Sequence, residues 1–247
     1  MIDELRYDSW NDFKRDFTRD LFQDGIYEKD VYLFRGQGEE CWKLISYFQR
    51  EFGKVIEWDR QQEVEDSLLE YFQAHCKRYF DDDITEGLDK EQLRILAQHY
   101  HVPTKLLDWS YSPYIAAFFA FSRCYGTDDS DSVAIWVLKK NHRIWNDKSG
   151  VRIVEDQVNV NKRQRWQQGC FTVIEYSEDS VDSYVADREK KGCDVKNALV
   201  KMTIPKSERL QALAELEAMN ITYPVILGGI ESCGMSAVLD VQMKYIK

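Results

Sequence analysis

One segment of the chain, PYIAAFFAFSRCY at residues 113–125, restricts the possible folds more than any other. Proline is favoured in the first turn of a helix, and the residues that follow it are almost all apolar. The segment therefore predicts a helix that is buried rather than half exposed. Soon afterwards, SVAIWVLKK at residues 132–140 has the composition of a buried strand. Other elements must surround this apolar helix and strand, and 247 residues supply enough material for such a core.

The remaining segments predict amphipathic helices and short strands. Helices are expected at residues 10–24, 63–80, 91–100 and 206–220, and strands at residues 31–37, 151–154, 170–176 and 199–204. No repeat, low-complexity tract or linker divides the chain. We therefore expect one α+β domain over residues 1–247, with a helical N-terminal half and a strand-rich C-terminal half.

Composition restricts the partners and the compartment. The formal net charge of −10 argues against nonspecific adhesion to nucleic acid or to an anionic membrane. No run of 18 apolar residues occurs, and the acidic start MIDELRYDSW does not resemble a secretory signal, so a cytoplasmic location is expected. The six cysteines are far apart and lack zinc-binding spacing, which predicts reduced thiols, mostly in the core, and no metal.

An arginine stands near the end of the predicted strand VYLFRGQ, at residues 31–37. A guanidinium in an apolar setting needs an anionic or carbonyl partner, because burying an unpaired charge is unfavourable. Asp108, between Leu107 and Trp109, is one candidate partner for Arg35, and a bound ligand is the other. Asp108 has two further interpretations, as a cap of the following helix or as an acceptor for a ligand hydroxyl.

Polar residues around the buried helix add further candidates. His99 either satisfies a buried backbone carbonyl or binds a ligand, and no third ligand at metal-binding spacing accompanies His99 and His101. Ser112 directly before Pro113 predicts a helix N-cap. The segment NKRQRWQQGCFTV at residues 161–173 carries a local basic patch, which indicates either a solvated loop or a surface for nucleic acid.

Four motifs together resemble the FRG domain family. They are FRGQ at 34–37, then CWKLISYFQRE, then LAQHYHVPTKLLDWSYSPYIAAFFA, then RWQQGCFT, and the resemblance is clearest over residues 30–175. The order of these motifs is similar to that of the ADP-ribosyltransferase fold, which implies two packed sheets with flanking helices. The resemblance implies an enzyme that cleaves the nicotinamide–ribose bond of NAD, as an ADP-ribosyltransferase or NAD glycohydrolase. Toxin or phage-defence settings are implied with it, and the ADP-ribose acceptor is left open among protein, nucleic acid and small molecule.

The resemblance also implies roles for individual residues. Arg35 would hold the NAD diphosphate, which suits its bidentate fork. Ser110, or Asp108 in its place, would fix the nicotinamide ribose. Gln167 stands where the superfamily has a catalytic glutamate, and Glu175 and Asp108 are the alternative anions. The cofactor-binding set implied by these motifs is Arg35, Gly36, Gln37, His99, Thr104 and Ser110. The competing hypothesis is a noncatalytic FRG module that binds a nucleotide, nucleic acid or protein partner.

Overall fold

The computed structural model describes residues 2–23, 26–27, 30–80, 84–126, 129–146, 150–155, 169–175 and 180–246. Seven of its strands form one mixed sheet, and two short strands form a separate antiparallel pair. In chain order the strands are Asp3–Arg6 (β1), Phe22–Gln23 (β2), Ile26–Tyr27 (β3), Tyr32–Gln37 (β4), Leu106–Ser110 (β5), Ser132–Lys139 (β6), Val151–Glu155 (β7), Gly169–Ile174 (β8) and Leu199–Pro205 (β9). The order across the large sheet is β1-β9-β6-β4-β5-β8-β7, and all of its pairings are antiparallel except β1 with β9.

Helices cover the sheet and follow its last strand. They are Trp10–Leu21 (α1), Tyr47–Phe52 (α2), Gln61–Tyr79 (α3), Lys90–His99 (α4), Pro113–Ser122 (α5), Val181–Lys190 (α6), Arg209–Ala218 (α7), Tyr223–Leu227 (α8) and Gly229–Tyr245 (α9). Single 3₁₀ turns occur at Trp58–Arg60, Arg143–Asn146 and Lys206–Glu208. Among the described helices, none has the length and apolar character that a membrane span needs.

The apolar helix α5 lies at the centre of the larger core, as its sequence predicts. Ser112 caps its N-terminus by accepting a hydrogen bond from the Ile115 amide at 3.3 Å, which confirms the predicted cap. The helix packs so tightly on β4 that a Cβ added to Gly36 would lie 1.8 Å from the Ala116 carbonyl oxygen. Only glycine permits this approach, so Gly36 fixes how close the helix lies to the strand.

The other face of the sheet carries a second core. Leu33 and Trp136 lie there, together with Tyr184 and Val185 of α6, and all four side chains are almost fully buried. Tyr184 donates a hydrogen bond to the Ile144 carbonyl at 2.7 Å, so its polar end is satisfied inside this core. The sheet is therefore covered on both faces, and the strands near its middle are apolar in both directions.

The large sheet consists of two parts that meet at a single residue pair. On one side, β4 pairs with β6 over six residues, and on the other β5 pairs with β8 over five. Between the two parts, β4 and β5 pair only at Phe34 and Ser110. The expectation of two packed sheets is therefore wrong for the described strands, which form one sheet that divides beyond this pair. We call the divergence of β4 and β5 beyond Phe34–Ser110 the fork.

The α+β class is confirmed, but the division of the chain into a helical and a strand-rich half is only partly correct. Four strands of the large sheet do lie in the second half, yet residues 209–245 form three helices. Tyr223 and Leu239 of this last segment are buried in the larger core, where the rings of Phe118 and Tyr223 meet with centroids 4.9 Å apart. The extent of a single domain over residues 1–247 stays a prediction.

The cysteines are free thiols in the described structure, as the sequence predicts. Three of them, Cys76, Cys124 and Cys170, are buried, and the other three are exposed. The interpretation of the cysteines mainly as core residues is therefore correct for half of them.

Candidate functional site at the fork

Arg35 occupies the fork. Its Nη1 donates a hydrogen bond to the backbone carbonyl oxygen of Asp108 at 2.7 Å, across the gap where β4 and β5 no longer pair. The same nitrogen lies 3.9 Å from the Asp108 carboxylate oxygen Oδ2. The guanidinium thus bridges the two strands where backbone pairing stops. This contact explains why an apolar strand carries an arginine near its end.

The Arg35–Asp108 pair is open rather than sealed. The Arg35 side chain is 17% exposed and that of Asp108 is 57% exposed. Burial lowers the pKa of Arg35 to about 10, opposed by the Asp108 carboxylate and assisted by the positive charges of Arg123 and Arg50. A pKa of about 10 still leaves the guanidinium charged at neutral pH. Its Nε is buried and has no hydrogen-bond partner among the described residues.

Two further arginines, Arg50 and Arg123, lie within electrostatic range of Arg35. Arg50 belongs to α2, and Arg123 directly follows α5. Burial lowers the pKa of Arg50, the Asp108 carboxylate opposes this, and the charge of Arg123 lowers it further. Three guanidinium groups therefore lie within electrostatic range of one another, and two of them, Arg35 and Arg50, also lie within range of the Asp108 carboxylate. This local excess of positive charge, in a protein of net charge −10, is suited to an anionic ligand.

A chain of hydrogen bonds orients the Asp108 carboxylate. Gln98, in the last turn of α4, donates from Nε2 to Asp108 Oδ2 at 3.1 Å. The Gln98 Oε1 accepts a hydrogen bond from Thr104 Oγ1 at 2.5 Å, and Thr104 is fully buried. Thr104 supports Gln98 from behind, and its expected role in binding the cofactor stays a prediction. Gln98 was missed, although it lies in the recognised motif LAQHY.

The residues next to Arg35 have structural contacts. Gly36 lies on the opposite face of β4, against α5. Gln37 is 7% exposed, and both ends of its amide are engaged: Nε2 donates to the Lys43 carbonyl at 3.0 Å, and Oε1 accepts from Trp136 Nε1 at 2.7 Å. The expectation that Gly36 and Gln37 touch a cofactor thus competes with the packing roles in which the structure places them.

Ser110 lies at the start of the fork, and His99 is the last residue of α4. Ser110 pairs with Phe34 where the fork begins, is 6% exposed, and accepts a hydrogen bond at Oγ from the Ser112 amide at 3.0 Å. The His99 ring lies edge-on to Phe171 with ring centroids 6.2 Å apart. Within the described part of the chain, no cluster of three His, Cys, Asp or Glu residues could hold a metal.

Of the two remaining catalytic candidates, Gln167 and Glu175, the structure describes only Glu175. Glu175 accepts a hydrogen bond from Arg152 at 3.0 Å on the protein surface. Phe171 is the residue of β8 opposite Asp108, so Glu175 lies four residues further on, roughly 13 Å away at 3.3 Å per residue. The antiparallel register thus carries Glu175 away from Asp108, and its expected catalytic role stays a prediction. Gln167 and the basic patch at 162–165 lie outside the described residues.

Comparison with known families supports the motif-based interpretation. The family model of the FRG domain matches residues 30–129 and so supports the resemblance to the FRG domain family. The match contains all four charged groups of the fork, Arg35, Arg50, Asp108 and Arg123. Neither the curated proteins nor the solved structures include a match to the chain.

Proposed function

We propose that the fork binds the diphosphate of NAD, and that the protein is an ADP-ribosyltransferase-like enzyme. The observation that carries this proposal is the Arg35 guanidinium beside the largely exposed Asp108 carboxylate at the fork, with the positive charges of Arg50 and Arg123 within electrostatic range of Arg35. Arginine is suited to binding a diphosphate because its planar donor fork matches phosphate oxygens. A ligand carrying two negative charges would neutralise the excess charge of the site.

Asp108 supplies the anion that the proposed chemistry needs. Cleavage of the bond between nicotinamide and ribose C1′ sends the bonding electrons to the nicotinamide and leaves positive charge on the sugar. A carboxylate next to the sugar would stabilise that charge. An acceptor hydroxyl, amine or water would then bond to C1′ and release its proton. Gln98 would hold the Asp108 carboxylate in place throughout.

The division of the sheet supports the proposed likeness to the ADP-ribosyltransferase fold. The fork places Arg35 and Asp108 on strands from different parts of the sheet. A ligand that enters between such parts can contact both strands without breaking a backbone ladder. The proposal therefore assigns nucleotide binding to the fork rather than to a loop or a sheet edge.

A noncatalytic module is the second candidate, and specific contacts favour it. Arg35 already donates to the Asp108 carbonyl, and Gln37 and Thr104 are engaged in internal hydrogen bonds. On this hypothesis the FRGQ motif holds β4 and β5 together at the fork. A nucleotide, nucleic acid or protein partner would then bind without bond cleavage.

Thermal unfolding with and without millimolar NAD, together with nicotinamide release, tests the proposal. The proteins are the wild type, Arg35→Met and the control Arg143→Met, which removes an arginine whose side chain is 70% exposed. NAD at a hundred times its Kd should stabilise the wild type by about 2.7 kcal/mol. We expect this shift in the wild type and in Arg143→Met, with nicotinamide released, and neither effect in Arg35→Met.

The other outcomes separate the hypotheses. A shift without nicotinamide release would favour the noncatalytic module that binds a nucleotide. The absence of both effects in the wild type, with an Arg35→Met protein that merely unfolds earlier, would show that Arg35 is a structural bridge. Both the proposed enzyme and the noncatalytic module that binds a nucleotide would then be contradicted.

A further inference from the structure

Tyr47 stands beside the arginines of the fork in an exposed position. The hydrogen bond from Gln37 to the Lys43 carbonyl holds the segment after β4 against that strand, and α2 begins at Tyr47. The Arg50 guanidinium lies 5.4 Å from the centroid of the Tyr47 ring. The Phe48 amide donates a hydrogen bond to the Thr104 carbonyl at 3.1 Å, which places the start of α2 next to β5, the strand of Asp108. Since Arg50 is also within electrostatic range of Arg35 and Asp108, the ring borders the positively charged site.

Core packing does not account for the position of the Tyr47 ring. The neighbouring Phe48 is fully buried, whereas Tyr47 is 36% exposed and belongs to none of the buried apolar clusters of the described chain. Helix α2 therefore anchors itself through Phe48 and directs Tyr47 outward. A large ring held at the protein surface on a short helix offers a preformed flat face.

We propose that Tyr47, with Arg50 beside it, is the stacking platform for the aromatic base of a nucleotide whose diphosphate binds at Arg35. This inference rests on the proposed nucleotide binding at the fork, and it adds the class of ligand that the site selects. Bases stack on tyrosine rings because both present flat π faces. An adjacent guanidinium strengthens such contacts. The site thus discriminates nucleotides from diphosphates that lack a base.

Calorimetric titration with two probes at one fixed salt concentration tests the platform. The probes are ADP, which carries a base and a diphosphate, and inorganic pyrophosphate, which carries only the latter. The variants are Tyr47→Ala, Tyr47→Phe and the control Tyr71→Ala, which removes a tyrosine of α3 that is 68% exposed. Circular dichroism confirms that each variant is folded.

We expect Tyr47→Ala to weaken ADP binding by about 5- to 150-fold, the range of one lost base–aromatic stack, and to leave pyrophosphate binding unchanged. Tyr47→Phe should retain ADP binding because it keeps the ring, and Tyr71→Ala should behave as the wild type. Equal ADP affinity in the wild type and Tyr47→Ala would overturn the platform, as would a parallel loss of both probes. A wild type that binds neither probe would overturn it too.

Nicotinamide release, measured on the same proteins, separates this inference from the proposed enzyme. ADP binding that depends on Tyr47, in a wild type that releases no nicotinamide, would support the platform and contradict the transferase. Nicotinamide release that continues unchanged in Tyr47→Ala, with unchanged ADP affinity, would support the transferase and contradict the platform.

Discussion

Two arginine–carboxylate pairs, both involving the region around β5, differ in how completely they are closed. Arg94 of α4 and Glu65 of α3 are 2.8 Å apart, with side chains 8% and 0% exposed. Glu65 also accepts a hydrogen bond from the Lys105 amide at 2.8 Å, so both of its oxygens are engaged. Arg35 and Asp108 are 3.9 Å apart, and the carboxylate is mostly exposed.

The difference between the two pairs lies in the carboxylate. Arg35 and Arg94 each have a buried Nε without a hydrogen-bond partner among the described residues, so that feature does not distinguish them. The Glu65 carboxylate is buried where α3, α4 and the start of β5 meet, which is typical of a structural pair. Asp108 faces solvent and has more than one arginine near it, which leaves both strands of the fork able to contact a ligand.

Removal of the closed pair's carboxylate should give the largest effect. Glu65→Leu leaves the buried Arg94 cation without its partner and the Lys105 amide without its acceptor. We expect the free energy of unfolding to fall by about 3–5 kcal/mol, measured by denaturant titration. A loss below about 1 kcal/mol would show that the pair is not the structural element described here.

A double variant controls for the stranded charge. Replacement of both partners, as Glu65→Leu with Arg94→Met, removes the buried charge altogether and fills the site with apolar groups. Such replacements are often neutral or stabilising. We therefore expect the double variant to be more stable than Glu65→Leu alone, and the opposite order would contradict the account.

Asp108→Asn should separate function from stability at the open pair. The change keeps the shape and the Gln98 contact but removes the charge. Loss of one electrostatic stabiliser of a transition state typically lowers kcat about 100- to 1000-fold. The free energy of unfolding should change by at most about 1 kcal/mol, because the Asp108 side chain is 57% exposed.

The binding measurement for Asp108→Asn sharpens this comparison. Removal of a negative charge next to a bound diphosphate should leave NAD affinity unchanged or increase it. Calorimetric titration of NAD into the variant checks the sign. Weaker NAD binding, together with a large loss of stability, would make Asp108 a structural partner like Glu65.

The strongly patterned elements could be predicted from the sequence, and the weakly patterned ones could not. The strand expected at 132–140 is β6 at Ser132–Lys139, and the buried helix after Pro113 is α5. The strand β1 was missed because all four of its residues are exposed and show no alternation. It is a strand only because it pairs with β9, which lies almost 200 residues further along the chain.

The residues of the candidate site also differ in how far the sequence alone predicts them. Arg35 and Asp108 were paired as candidates because each is a charge within an apolar run. Arg50 and Arg123 lie on or next to helices, where charged residues are common, so only the tertiary structure brings them to the fork. Glu175 is expected as an alternative anion at the site because its motif neighbours suggest it, but the register of β8 against β5 decides where it lies.

Of the three single changes to a carboxylate, Glu65→Leu, Asp108→Asn and Glu175→Gln, the last should have the smallest effect. Its carboxylate bonds to Arg152, and Arg152 also pairs with Glu91, so the cation keeps one partner when Glu175 is neutralised. All three side chains are more than a third exposed, and such pairs contribute about 0.2–1 kcal/mol. We expect nicotinamide release and NAD affinity to stay at the wild-type level. A loss of release comparable to that of Asp108→Asn would instead place Glu175 in the catalytic site and require the register of β8 to bring it to Arg35.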